Sequence, residues 1–268
     1  MFYYKFKMEF TITDKTKCDT FVQIFKHLKS FTDSININIT PELFFIQGMD
    51  NSHISIFEIN IEPTWFDNYN ISNTVNIGIN INLFQKILNI RREEQTIRIY
   101  NLDSDKIDID FTCEQKDVYN NFFKLPLIDL EMEQLAIPDT EYDLDISMKS
   151  KSFKQLIDQL SNFGDVVNIA YQNDEFKMKS SDDIESSMEI KIAIDDLDSC
   201  AVEENANIQN SYSIQFIHYM TQCFKISPNV NIHVSPDIPI LIKYLFDNID
   251  ETTNNYIRFF LAPKIEDN

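Results

Sequence analysis

Apolar and polar residues alternate along most of this chain. Ser34-Ile-Asn-Ile-Asn-Ile-Thr40, His53-Ile-Ser-Ile-Phe-Glu-Ile-Asn-Ile61, Thr96-Ile-Arg-Ile-Tyr100, Lys106-Ile-Asp-Ile-Asp-Phe111, Met188-Glu-Ile-Lys-Ile-Ala-Ile194 and Asn229-Val-Asn-Ile-His-Val234 follow that period. Successive side chains of a strand point to opposite faces, so the pattern predicts antiparallel strands with one buried and one wet face. Four segments break the rhythm. Phe21, Ile24, Phe25 and Leu28 fall at helical spacing, and Phe153, Leu156, Ile157 and Leu160 repeat it. Leu83, Phe84, Ile87, Leu88 and Phe216, Ile217, Met220, Phe224 are weaker versions. Four short one-sided helices among many strands predict an α+β fold, with helices layered on antiparallel sheets.

The first and third helices are copies. Thr20-Phe-x-Gln-Ile-x-x-x-Leu-x-x-Phe-x-Asp-x-Ile-Asn-Ile37 aligns without a gap to Ser152-Phe-x-Gln-Leu-x-x-x-Leu-x-x-Phe-x-Asp-x-Val-Asn-Ile169, at a constant offset of 132 residues. Helical amphipathicity alone does not explain why Gln23/Gln155, Asp33/Asp165 and Asn36/Asn168 also coincide. The repeat predicts two duplicated domains, 1–117 and 139–268, each with two helices on its sheets. Between them, 118–138 contains Pro126 and Pro138 and has no clean period, so it reads as an extended interdomain connector.

Composition then excludes several functions. Only Gly48, Gly78 and Gly164 occur, too few and too far apart for a phosphate-cradling loop. Cys18, Cys113, Cys200 and Cys223 are scattered, with no metal-ligand spacing, and read as reduced thiols. Lysines interrupt the apolar residues of the first nine positions, and no run of about 18 apolar residues occurs, so neither a signal peptide nor a membrane span is expected. No nucleophile or metal-hydrolase motif appears, so the chain reads as a non-enzyme without cofactor or metal.

The net charge of −20, from 23 Lys and Arg against 43 Asp and Glu, argues at first against a polyanionic partner. Its distribution argues otherwise. The four helical segments, 14–30, 80–92, 148–163 and 211–226, hold eleven cations against three carboxylates, a balance of +8 that leaves −28 for everything else. Because each apolar stripe must pack on a sheet, the cations are expected on the opposite face. Lys17, Lys26, Lys29, Lys86, Arg91, Arg92, Lys151, Lys154 and Lys225 are therefore the candidate contacts to the phosphates of double-stranded DNA. No aromatic residues interleave with them as stacking platforms, so the expected contact is not sequence-specific.

The ending Tyr256-Ile-Arg-Phe-Phe-Leu-Ala-Pro-Lys-Ile-Glu-Asp267 resembles that of the proliferating cell nuclear antigen family of sliding clamps. So, in register, do Gly48-Met-Asp-Asn-Ser-His-Ile-Ser55, Asp129-Leu-Glu-Met-Glu-Gln-Leu-Ala-Ile-Pro-Asp-Thr-Glu-Tyr142, Leu160-Ser-Asn-Phe-Gly-Asp-Val-Val167 and Ser235-Pro-Asp-Ile-Pro-Ile-Leu-Ile-Lys-Tyr244. The resemblance implies a DNA clamp fold and a homotrimeric ring around duplex DNA, acting as a polymerase processivity factor. Further implied partners are a clamp loader and replication and repair proteins that dock a short peptide with a glutamine and an aromatic pair. Met49, His53, Leu135, Ile137, Pro239, Phe260, Ala262 and Pro263 match the family's docking pocket. Subunit contacts are expected around Asp108–Asp117 and Ser180–Glu189. The place of action would be the nucleus or another intracellular replication site, or a viral factory for a large DNA virus. Two competing readings are a checkpoint-type clamp subunit in a hetero-oligomer and an acidic DNA-mimic inhibitor.

Overall fold

The computed structural model describes residues 8–101, 105–130, 134–138, 140–172, 175–182, 186–204, 206–246 and 254–264. The chain forms two compact units, the first from 1–51, 58–135 and 251–256, the second from 52–57, 136–250 and 257–268. The first half of the sequence carries β1 (Met8–Ile12), α1 (Lys15–Leu28), β2 (Ser34–Ile39), β3 (Phe44–Met49), β4 (Ser55–Ile61), β5 (Asn68–Ile71), β6 (Val75–Asn80), α2 (Ile81–Leu88), β7 (Thr96–Asn101), β8 (Lys106–Thr112) and β9 (Asn121–Pro126). The second half repeats that order: β10 (Leu144–Lys149), α3 (Ser150–Leu160), β11 (Val166–Gln172), β12 (Glu175–Ser181), β13 (Ser187–Ala193), β14 (Ser199–Val202), β15 (Ile208–Ser213), α4 (Ile214–Thr221), β16 (Asn229–Val234), β17 (Ile240–Leu245) and β18 (Tyr256–Leu261).

Strand pairing repeats as well. Neighbours run β5-β1-β7-β8-β9 and β4-β3-β2-β6 in the first half, and β14-β10-β16-β17-β18 and β13-β12-β11-β15 in the second. This agreement, strand for strand, is the spatial counterpart of the 132-residue sequence repeat. Every pairing whose register is resolved is antiparallel, as the alternation requires.

Aromatic packing fixes the helices of the first unit. Phe25 of α1 meets Phe84 of α2 edge-on at 4.6 Å, and Phe21 touches Phe10, Phe44 and Phe84. Such pairs add about 0.5–1.5 kcal/mol each beyond the area they bury. Asp14 caps α1 by accepting from Lys17 N at 2.8 Å, and Asn80 caps α2 by accepting from Leu83 N at 2.9 Å. In the second unit Phe153, Ile157 and Leu160 of α3 and Ile217 and Met220 of α4 are buried. There α3 has no side-chain cap; instead Ser150 N donates to Pro228 O at 2.8 Å.

The stretch read as an extended connector divides in two. Residues 121–126 are β9, paired with β8 through Asp108↔Lys124 and Ile109↔Phe123. Residues 118–120 and the described residues after Pro126 run outside the named strands. Of these, Ile128 is held against the first unit's sheet, its N–H donating to Gly78 O at 2.9 Å. Gly78 is required at that approach, because a Cβ there would lie 2.2 Å from Ile128 O.

Candidate nucleic-acid interface and partner-docking residues

In the first unit, α1 buries Cys18, Thr20, Phe21, Ile24, Phe25 and Leu28, and α2 buries Ile81, Phe84 and Leu88. That leaves Lys26, Lys29 and Lys86 exposed on the other faces, joined by Arg92 after α2. None of these four has a carboxylate partner among the described residues. Lys17 is different: half-buried, it donates to Trp65 O at 2.7 Å with its ammonium 5.6 Å from that ring.

Arg91 is a correction. Its side chain is only 4% exposed, pairs with Asp19 at 2.8 Å and donates to the carbonyls of Gln95 and Glu93. Desolvated and saturated by these partners, it holds the turn after α2 to α1 rather than facing outward.

In the second unit, Lys151 and Lys225 are exposed. Lys154 is not free: 19% exposed, its ammonium is paired with Asp158 one turn along α3. Asp158 also lies 3.1 Å from His218 Nδ1 of α4, within ion-pair reach but without hydrogen-bond alignment. The 132-residue repeat places Asp158 at the position of Lys26, so one site carries opposite charges in the two copies. Phe224 corrects the view that cations and aromatics stay apart, since Lys154 and Lys225 each lie 5.8 Å from its ring.

The docking candidates fall in both units. In the first, Met49 ends β3 half-buried, and Leu135 is 40% exposed. Leu135 is held at its backbone: its N–H donates to Gln47 Oε1 at 2.6 Å, and Gln47 Nε2 donates to its carbonyl and to Glu58 Oε1, both at 2.8 Å. Upstream, Asn36 Nδ2 donates to Leu130 O at 3.0 Å. These amides line a cavity of about 630 Å³ beneath residues 127–130. Sequence reasoning passed over Gln47 and Asn36. Both stand on the half-exposed phase of their strands, positions that the alternation assigns to water.

In the second unit, His53 is exposed at φ 59°, and the neighbouring Ile54 carbonyl accepts from Ala262 N at 3.1 Å. Ile137 and Pro263 are half-buried and Pro239 is exposed, its carbonyl accepting from Tyr142 Oη at 3.2 Å. Phe260 is 9% exposed, with the Arg258 guanidinium 5.1 Å from its ring. Lys264 N donates to Ser211 O at 2.7 Å and ties down the segment that carries Ala262 and Pro263.

Strand edges refine the expected subunit contacts. Residues 108–112 belong to β8, which already pairs on both sides with β7 and β9, so the open edge next to β8 is β9. In the second unit β12 is likewise enclosed, and the open edge next to it is β13. Of the acidic run 182–185, residues 183–185 lie outside the described residues. Burial pushes the Cys18 thiol up to about 11 and the fully buried Cys223 thiol higher, so both stay protonated. Among the described residues no group of three or more His, Cys, Asp or Glu is placed to hold a metal ion, and no helix is long and apolar enough to cross a membrane.

Comparison with known proteins covers nearly the whole chain. Residues 14–134 match the model of the proliferating cell nuclear antigen N-terminal domain, and 136–264 that of its C-terminal domain. The chain is 28% identical over 258 residues to proliferating cell nuclear antigen 2 of Plasmodium falciparum (isolate 3D7), covering 92% of this chain and 96% of the relative. It is also similar in fold to the crystal structure of proliferating cellular nuclear antigen from Entamoeba histolytica, with a TM-score of 0.84 and 20% identity across 97% of this chain and 100% of that one.

Proposed function

Because the chain belongs to the proliferating cell nuclear antigen family, whose members are non-enzymatic ring clamps on DNA, we propose that it is a homotrimeric processivity factor. In this reading it encircles duplex DNA and docks a polymerase, a clamp loader and repair proteins at nuclear replication sites. The observation that carries the reading is the set of exposed cations on, or just after, helices whose other faces are buried: Lys26, Lys29, Lys86 and Arg92 in one unit, Lys151 and Lys225 in the other. In a chain of net charge −20 they give phosphates a local attraction while the remaining surface repels them.

Ring closure is supported by the open edges of β9 and β13. Pairing of these two edges, of different sequence, makes a head-to-tail contact that closes when the rotation between copies permits. Tyr119, 78% exposed, and Phe122, 68% exposed, stand at the β9 edge as apolar surface for such a contact. Met49 and Leu135 of the first unit, and His53, Ile137, Pro239, Phe260, Ala262 and Pro263 of the second, are proposed as residues that contact a partner peptide's aromatic pair.

Loading onto closed circular DNA is the test. The protein is expected to stay with the circle through a gel-filtration column and to be lost when the circle is cut. Equal retention on linear and circular DNA would sink the encircling mechanism. Competition with DNA for basic proteins, without loading, would instead mark an acidic mimic.

A further inference from the structure

The run β10-β16-β17-β18 in the second unit has two faces of different character. Ile146, Ile232, Ile242 and Phe259 are buried in the core. The opposite phase carries Asp145, His233, Lys243, Arg258 and Phe260. Asp145 is committed to His233 Nδ1 at 2.5 Å, and the Tyr142 ring lies 5.6 Å from His233. Arg258 lies over Phe260 and acts on Tyr142, which donates to Pro239 O, so that cation borders one docking residue directly and a second through Tyr142.

Lys243 and Arg258 occupy neighbouring strands, both half-buried. Burial and the Arg258 charge together lower the Lys243 pKa, the mark of two like charges partly removed from water. Both side chains have partners within the chain. An incoming carboxylate would add to those contacts and relieve the repulsion between the cations. It would do so on a patch that is apolar and cationic at once and so discriminates among aromatic peptides by their charge.

We propose that Lys243 and Arg258 form an acid-selecting shelf, which receives a Glu or Asp side chain flanking the aromatic pair of a docked partner peptide. The proposal rests on the docking reading above and adds to it the charge of the partner segment.

The test uses the full-length protein and fluorescent peptides that carry one glutamine and two aromatics. A single Glu, Gln or Lys is placed in turn at each flanking position, and binding is followed by anisotropy at low and high salt. At one position the Glu peptide is expected to bind about fivefold tighter than the Gln peptide, with the Lys peptide weakest and the spread collapsing in 0.5 M salt. Lys243→Glu with Arg258→Glu should invert the order of the Glu and Lys peptides relative to the Gln peptide. Thermal unfolding checks the fold of each variant. Should the double variant not fold, Lys243→Gln alone is expected to narrow the Glu preference. Equal affinities for the three peptides in the wild type, or an order unchanged by the substitutions, would overturn the shelf and leave the docking reading standing. Failure of all the peptides to bind would remove the docking reading, and the shelf with it.

Discussion

Lys86 and Arg91 carry the same charge five residues apart, yet one is exposed and the other is sealed against Asp19 and two carbonyls. Charge counting along the sequence could not separate them, because Asp19 lies 72 residues away and the contact exists only after α1 and α2 pack. Arg91→Ala is accordingly expected to destabilise the fold by about 1–3 kcal/mol in urea unfolding, with partial relief because Asp19 is half-exposed. Lys86→Ala should stay within about 0.5 kcal/mol. Equal stability effects for the two would return Arg91 to the DNA-facing set. Asp158 poses the converse case. Its carboxylate occupies Lys154, so Asp158→Asn should release that ammonium and tighten binding to a short linear duplex. The log–log salt slope should steepen by about 0.9 if Lys154 then meets one phosphate. An unchanged slope would mean that Lys154 never reaches DNA.

Among elements, legibility followed burial. β2, β7, β8 and β16 bury one face fully and alternate cleanly in the sequence, as do the stripes of α1 and α3. β9 was hidden because it is an edge strand: Phe122 is 68% exposed, Phe123 half-buried and Pro126 exposed, so no two-residue period survives. The clamp on the segment after β9 was equally invisible, since Gln47 and Leu135 are 88 residues apart and meet through backbone groups that composition does not reveal. That clamp is testable. Gln47→Ala removes the contacts to Leu135 N, Leu135 O and Glu58, and is expected to speed hydrogen exchange at Leu135 by at least tenfold while weakening an aromatic docking peptide several-fold. Leu135→Ala with Ile137→Ala should abolish that binding with little change in the unfolding midpoint, because Leu135 is exposed and Ile137 half-buried. Unaltered peptide affinity in both variants would move the docking site off this segment.

For the whole molecule, the same charge distribution that suits DNA works against assembly. Each copy carries −20, and only the four helical segments are net positive, at +8, leaving −28 elsewhere. Copies associating through β9 and β13, as proposed, would approach as like-charged bodies, their repulsion screened over a Debye length of about 10 Å at 0.1 M salt and about 3 Å at 1 M. DNA contact depends on unscreened attraction and must weaken as salt rises. The two steps should then respond to salt with opposite sign. Sedimentation equilibrium at micromolar protein is expected to show the mass rising toward three copies of 31.6 kDa as salt increases from 50 to 500 mM, while affinity for duplex DNA falls over that range. Ile190→Glu in the open edge β13 should hold the mass near one copy at every salt concentration, with an unchanged circular dichroism spectrum, because Ile190 is half-exposed there. A trimer that persists in Ile190→Glu would exclude β13 as the contact. A wild-type mass near one copy throughout the salt range would favour a clamp subunit that requires a different partner chain.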